Sequence, residues 1–141
     1  MAENLLTLEV VTPERLEVSA QVAEISAPSV DGEFGVLPGH VDLLAALKPG
    51  IVTYKEENRI KYAAVAQGYA EVRADRVVLL VEQWVTPDEV DVDDVRDELA
   101  RAELRVKELS SLESSAEYEQ ARRDERWAAV RLEVAKLNRV V

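Results

Sequence analysis

The sequence predicts an α+β chain with an all-β first part over residues 1–87 and an antiparallel two-helix hairpin over 88–141. Three observations carry this. All five glycines and all five prolines lie at or before Pro87, and residues 88–141 contain neither. Before Pro87 apolar residues recur in short runs with period two, broken by turn signals, as half-buried strands require. After it they step by three and four, the spacing of one helix face.

The first run alternates Leu6, Leu8 and Val10 with Thr7 and Glu9, one buried face of a strand. Thr12-Pro13-Glu14 punctuates it, and Val18 to Ala27 continues with Val22 and Ile25 among polar residues. Residues Gly32-Glu33-Phe34-Gly35-Val36-Leu37-Pro38-Gly39-His40 hold three of the five glycines in nine positions. Glycine and proline both disfavour a helix interior. The run therefore predicts a turn at Asp31-Gly32, a short strand through Phe34–Leu37 and a second turn. It has no Gly-x-x-x-x-Gly-Lys pattern, and Asp31 and Glu33 would repel a phosphate. A binding or structural corner is the expectation.

Leu43, Leu44 and Leu47 lead to the turn Lys48-Pro49-Gly50. Ile51–Tyr54 and Ile60–Val65 then flank Lys55-Glu56-Glu57-Asn58-Arg59, a hairpin with a charged tip. Gly68 opens Tyr69-Ala70-Glu71-Val72-Arg73, and Ala74-Asp75 turns the chain into Val77–Val81. Five consecutive apolar residues there predict a strand buried on both sides or closed between sheets. Many short strands with frequent turns indicate a compact β-sandwich or barrel.

Beyond Pro87, Val92, Val95, Leu99, Ala102, Val106 and Leu109 step by 3, 4, 3, 4 and 3, a heptad stripe. Asp88, Asp91, Asp93 and Asp94 stand where the macrodipole favours anions, and Arg101, Arg105 and Lys107 stand near the other end. Serines 110, 111, 114 and 115 mark a break before a second stripe, Trp127, Val130, Val134 and Leu137, with Ala121, Ala128 and Ala135 beside it. Two helices of roughly 22 residues, each about 33 Å long, should fold back on one another. Alanines thin the seam, and Glu125 and Arg131 flank it. Little apolar area is left to bury, so the hairpin is expected to be marginally stable and able to open to roughly 70 Å.

Composition removes whole classes of function. Seventeen basic against 28 acidic residues leave a net charge of −11 and a sequence pI near 4.6. That opposes sequence-independent nucleic-acid binding and docking to anionic lipid. With no cysteine there is no disulfide, thiolate nucleophile or cysteine metal site, and one histidine, His40, excludes a multi-histidine centre. No apolar run approaches the ~20 residues of a membrane span and no signal-like start is visible, so an intracellular chain without membrane insertion is expected. The aspartates of the first helix lack the spacing and glycine of a calcium loop. No metal, cofactor or catalytic residue is nominated, because His40 has no nucleophile or orienting partner in the pattern.

The Gly-Glu-Phe-Gly…Pro-Gly-His corner, then Leu47-Lys48-Pro49-Gly50, then Gly68 before a strand, then a glycine-free helical pair, resembles the epsilon subunit of the rotary ATP synthase. The resemblance runs the length of the chain in order. It implies a sandwich of about ten strands that binds the gamma subunit and rests on the c-subunit ring, in a non-catalytic central-stalk subunit turning with the rotor. It implies that Glu33 and His40 lie at the c-ring interface. It also implies a hairpin that extends along gamma to hinder ATP hydrolysis, with Arg122, Arg123, Arg126 and Arg131 as candidates for contact with the alpha/beta catalytic head. The location implied is peripheral, at the cytoplasmic face of a bacterial inner membrane.

On residue type alone, each of these positions has an ordinary reading. Glu33 would be a solvated turn carboxylate, His40 a loop histidine bonded to backbone, and the four arginines a solvated helix face. Trp127 would be hairpin packing. Some family members bind ATP through an Ile/Leu-Asp-x-x-Arg-Ala motif; here Val90-Asp91-Val92-Asp93-Asp94-Val95 puts an aspartate in place of the arginine. Shifting the register by two recovers Arg96 but places Asp97 where alanine belongs. Added carboxylates oppose a triphosphate, so no ATP site is expected. The rival reading is an independent sandwich adaptor that dimerises through its helical arm.

Overall fold

The computed structural model describes residues 4–137. The chain folds as two compact units, Met1–Val85 and Thr86–Val141. Among the described residues the first unit holds ten strands: β1 Leu6–Val11, β2 Leu16–Val22, β3 Glu24–Ser29, β4 Gly32–Val36, β5 Leu43–Leu47, β6 Gly50–Glu56, β7 Arg59–Val65, β8 Gly68–Arg73, β9 Arg76–Val81 and β10 Trp84–Val85. They pair in the order β10-β7-β6-β3-β5-β8-β9-β1-β2, and β4 also pairs with β3. Every pair is antiparallel except β1 with β9.

The period-two reading of β1 holds: Leu6, Leu8 and Val10 are fully buried and face one core. From the other strands that core takes residues such as Val22, Val36, Val52, Val72 and Leu79. Tyr54 and Trp84 stack obliquely in it, centroids 6.3 Å apart, and burial pushes the Tyr54 hydroxyl above its ordinary pKa. Gly68 marks a close crossing, since a Cβ there would collide with the Leu80 carbonyl oxygen.

Within the sandwich, two details of the sequence reading shift. The turn falls at Val30-Asp31, so β4 starts at Gly32 and ends at Val36. Ser29 holds that turn, donating to the Gly32 carbonyl at 2.5 Å and accepting from the Asp31 N–H at 3.2 Å. The larger correction concerns β9. Val77, Leu79 and Val81 are buried, but Leu80 is 52% exposed. The strand has one buried face and one outward apolar face, which a run of five apolar letters does not distinguish from double burial.

In the second unit a short 3-10 turn, Pro87–Glu89, precedes α1, Val92–Glu108, and α2, Ala116–Leu137. The first helix is therefore 17 residues rather than about 22. Thr86 and Glu89 form a capping box around the 3-10 turn. Asp91 then caps α1 by accepting the Asp94 N–H at 3.1 Å. Ser115 does the same for α2, accepting the Tyr118 N–H at 3.1 Å. In α1, Val95 and Ala102 are buried while Leu99 and Val106 are half-buried. In α2 the alanines are central to the seam: Ala121, Ala128 and Ala135 are buried along with Val130 and Val134. Small side chains let the helix backbones approach closely but bury little area each.

Candidate functional site

Five strands of the sandwich set their outward residues in register. Ala46 on β5 pairs with Tyr69 on β8, Tyr69 with Leu80 on β9, Leu80 with Val11 on β1, and Val11 with Leu16 on β2. Register partners point to the same side of a sheet, so these form one continuous apolar row. Tyr69 is 59% exposed, Leu80 52% and Leu16 53%. A groove of about 660 Å³ runs along it, bounded by Val11, Pro13, Ala46, Tyr69 and Leu80 with Gln67 and Glu82 at its polar margin.

The neighbouring row is mixed: Leu44, Glu71, Val78, Glu9 and Ser19, with Glu9 ion-paired to Arg76. An apolar strip rimmed by charge on an otherwise acidic chain is the pattern of a protein-binding surface. The sequence reading missed this surface. Its signal was present as apolar letters at the outward parity of β5, β8 and β9, but only strand pairing brings those letters into one line.

Glu33 stands on β4, exposed, and accepts a hydrogen bond from the Ser26 hydroxyl on β3. His40 is half-buried beyond the other end of β4. Its backbone N–H closes a turn onto the Leu37 carbonyl at 3.1 Å, and its Nδ1–H donates to the Val41 carbonyl at 2.6 Å. The strand rises about 3.3 Å per residue, so the two side chains occupy opposite ends of the corner rather than one constellation. Around the His40 turn, Leu37 and Val41 are 57% and 75% exposed.

On α2, Arg122, Arg123 and Arg126 are exposed, and Arg123 donates to Gln120 at 2.8 Å. Arg131 is set apart. It pairs with Glu98 of α1, and its guanidinium lies 5.3 Å from the Trp127 ring centroid. At the start of α1, Asp94 is fully exposed, and the nearby Asp91 carboxylate pushes its pKa above the ordinary value. The position that would carry an arginine in an ATP-binding member is therefore an aspartate among acids. No group of acids or histidine suited to a metal occurs among the described residues. No described helix is long and apolar enough to cross a membrane.

Comparison with known proteins agrees with this architecture. The family described as "ATP synthase, Delta/Epsilon chain, beta-sandwich domain" matches residues 5–87. An ATP synthase epsilon chain 2 of Syntrophotalea carbinolica is 42% identical over 135 residues, covering 96% of both chains. An epsilon chain of Geotalea uraniireducens is 41% identical with the same coverage. The fold also matches a chain in the Euglena gracilis mitochondrial ATP synthase, described as OSCP/F1/c-ring in a rotational state. That match has a TM-score of 0.82 at 22% identity, covering 96% of this chain and 84% of that one. A chain in the Tetrahymena thermophila mitochondrial central stalk/c-ring structure matches with a TM-score of 0.55 at 16% identity, covering 66% and 75%. A β-sandwich followed by two helices, relatives near 40% identity over almost the whole chain and a family match across the sandwich place this chain in the ATP synthase epsilon-chain family, an accessory rather than a catalytic subunit.

Proposed function

We propose that the chain couples rotation of a proton-driven c-subunit ring to ATP synthesis as a central-stalk subunit, and that its outward apolar row is the seat of the gamma subunit. The observation that carries this is the row Ala46–Tyr69–Leu80–Val11–Leu16 with its groove. Tyr69, Leu80 and Leu16 are exposed in this row and Val11 and Ala46 half-buried. Apolar side chains left open in this way gain free energy only when a partner covers them. A subunit that transmits torque needs a broad, rigid contact of this kind and no chemistry of its own.

On the same reading Glu33 and the His40 turn meet the c ring, and residues 88–141 form the mobile regulatory domain, separate from a sandwich over 1–87. The hairpin restrains ATP hydrolysis when it extends toward the alpha/beta head. The buried alanines support a hairpin that opens readily, because each contributes little apolar area. Arg122, Arg123 and Arg126 are then the head-contacting candidates, and Arg131 joins them only after leaving Glu98. The complex sits peripherally at the cytoplasmic face of a bacterial inner membrane.

The test is binding of purified gamma by Tyr69→Glu and Leu80→Glu. Both positions are exposed, so the fold should survive, and affinity should fall at least about tenfold. Undiminished binding by the folded double variant overturns the assignment. The rival adaptor predicts a stable homodimer through the helices. The burial of Val95, Ala102, Ala121 and Ala128 within a single chain leaves that dimer little stripe to use. Sedimentation of the isolated chain as a monomer is expected.

A further inference from the structure

We propose that Asp75 is a positioning residue that locks the His40 turn to the β8–β9 hairpin, making that hairpin the rigid link between the ring-facing loop and the gamma-facing row. The proposal rests on the rotor reading above.

The β8–β9 turn has Ala74 and Asp75 both in the left-handed region, at φ 48° and 62°. Two-residue turns of this geometry favour Asn-Gly or Asp-Gly, because an L side chain is disfavoured there. An Ala-Asp pair is a poor choice for the turn alone, and the aspartate makes a side-chain contact that glycine cannot. Its Oδ1 accepts the Gly39 N–H at 2.6 Å, across 36 positions of sequence. Its carbonyl oxygen accepts the Thr7 N–H at 2.9 Å, at the start of β1. One residue thus ties together the β4–β5 loop, β1 and the β8–β9 hairpin.

The bond to Gly39 is short and charge-assisted, a strong class of hydrogen bond. It falls inside the turn closed by the His40 N–H on the Leu37 carbonyl, so it fixes the turn that presents the exposed Leu37 and Val41. At the far end of the same two strands stand Tyr69 and Leu80, cross-strand partners in the apolar row. About five residues separate the ends, roughly 17 Å of paired strand. Load entering at the loop would reach the gamma face through that hairpin, with the Asp75 carboxylate as its side-chain fastening.

Three variants test this. Asp75→Asn keeps an acceptor oxygen, Asp75→Ala removes it, and Asp75→Gly removes it while relieving the backbone, so that a misfolded turn is not the cause. Exchange of the Gly39 amide in the isolated chain should rise about tenfold or more in the Ala and Gly variants and stay near the parent in Asn. In ATP synthase assembled with each variant, the ratio of ATP-driven proton pumping to ATP hydrolysis should fall for Ala and Gly and recover for Asn. Unchanged Gly39 exchange in Asp75→Ala overturns the lock. Faster exchange with an unchanged pumping ratio also overturns the proposal, leaving Asp75 a structural residue only.

A Leu37→Ser, Val41→Ser double variant separates this from the underlying reading. It leaves Asp75 and Gly39 in place, so its ratio should fall without faster Gly39 exchange. If it falls while the Asp75 variants behave as the parent, the loop contact stands and the lock does not. If it is unchanged, the loop contact itself is wrong and the proposal goes with it.

Discussion

Arg131 on α2 spans the hairpin to Glu98 on α1 while its guanidinium covers Trp127, 5.3 Å from the ring centroid. It also donates from Nε to the Trp127 carbonyl at 3.4 Å. The side chain is only 16% exposed and Glu98 is 42% exposed, so packing and stacking should outweigh the ion pair. Arg131→Ala should destabilise the hairpin by about 1–2 kcal/mol and Glu98→Gln by about 0.5 kcal/mol. Amide exchange across α1 and α2 reads both. Equal effects would show that the ion pair, not the stack, is the main fastening.

The seam should be intolerant of bulk where it is built from alanine. Ala128 is fully buried, and Ala128→Leu should cost about 1–3 kcal/mol by forcing the helices apart. Its exposed neighbour Ala129 provides the control, with Ala129→Leu expected within about 0.5 kcal/mol of the parent. Exchange of the α1 amides facing the seam should follow the first variant and ignore the second. A leucine tolerated at 128 would mean the seam has room that the buried alanines do not suggest.

Gly68→Ala should damage the sandwich and leave the hairpin's own packing untouched. The added methyl would meet the backbone oxygen of Leu80 and the Cα of Val81, and backbone atoms in a paired strand cannot step aside as a flexible side chain could. A loss of about 3 kcal/mol or more is expected, read as a lower urea midpoint for loss of sheet signal. A change under about 1 kcal/mol would show that β8 and β9 separate easily at this crossing.

The hairpin should gain from acid at one identified group. The Asp94 pKa is raised, first by the Asp91 carboxylate and then by desolvation and its other acidic neighbours. A folded-state pKa above the unfolded one means the folded chain binds that proton more tightly. The contribution is fully present below the ordinary aspartate pKa and is lost as pH rises through the raised value. At neutral pH the group therefore opposes the folded helix start, while Asp91 is needed as its cap. Carboxyl titration by NMR should show Asp94 titrating above the ordinary aspartate value, and Asp91→Asn should bring it down. An Asp94 midpoint unmoved by that change would remove Asp91 as the cause.

Much of this protein was decided locally and could be read along the chain. Alternating Leu6, Leu8 and Val10 bury one face whatever strand lies beside them. A chain with no glycine or proline after Pro87 and a three-four apolar step forms helices, and a serine-rich break returns them on each other. Capping by Asp91 and Ser115 is equally local. Even the corner around Gly32–His40 declared itself, because few residue types tolerate its turns.

Tertiary structure decided whatever depends on which strand lies beside which. The row from Ala46 to Leu16 exists only because β1 lies parallel to β9 and antiparallel to β2, a pairing that no local periodicity encodes. For the same reason Val77–Val81 looked doubly buried in sequence, although Leu80 faces outward. Asp75 read as a turn residue until the fold carried Gly39 to its carboxylate. Periodicity fixes which face of an element is apolar, whereas long-range pairing determines whether that face meets the core or stays open to a partner.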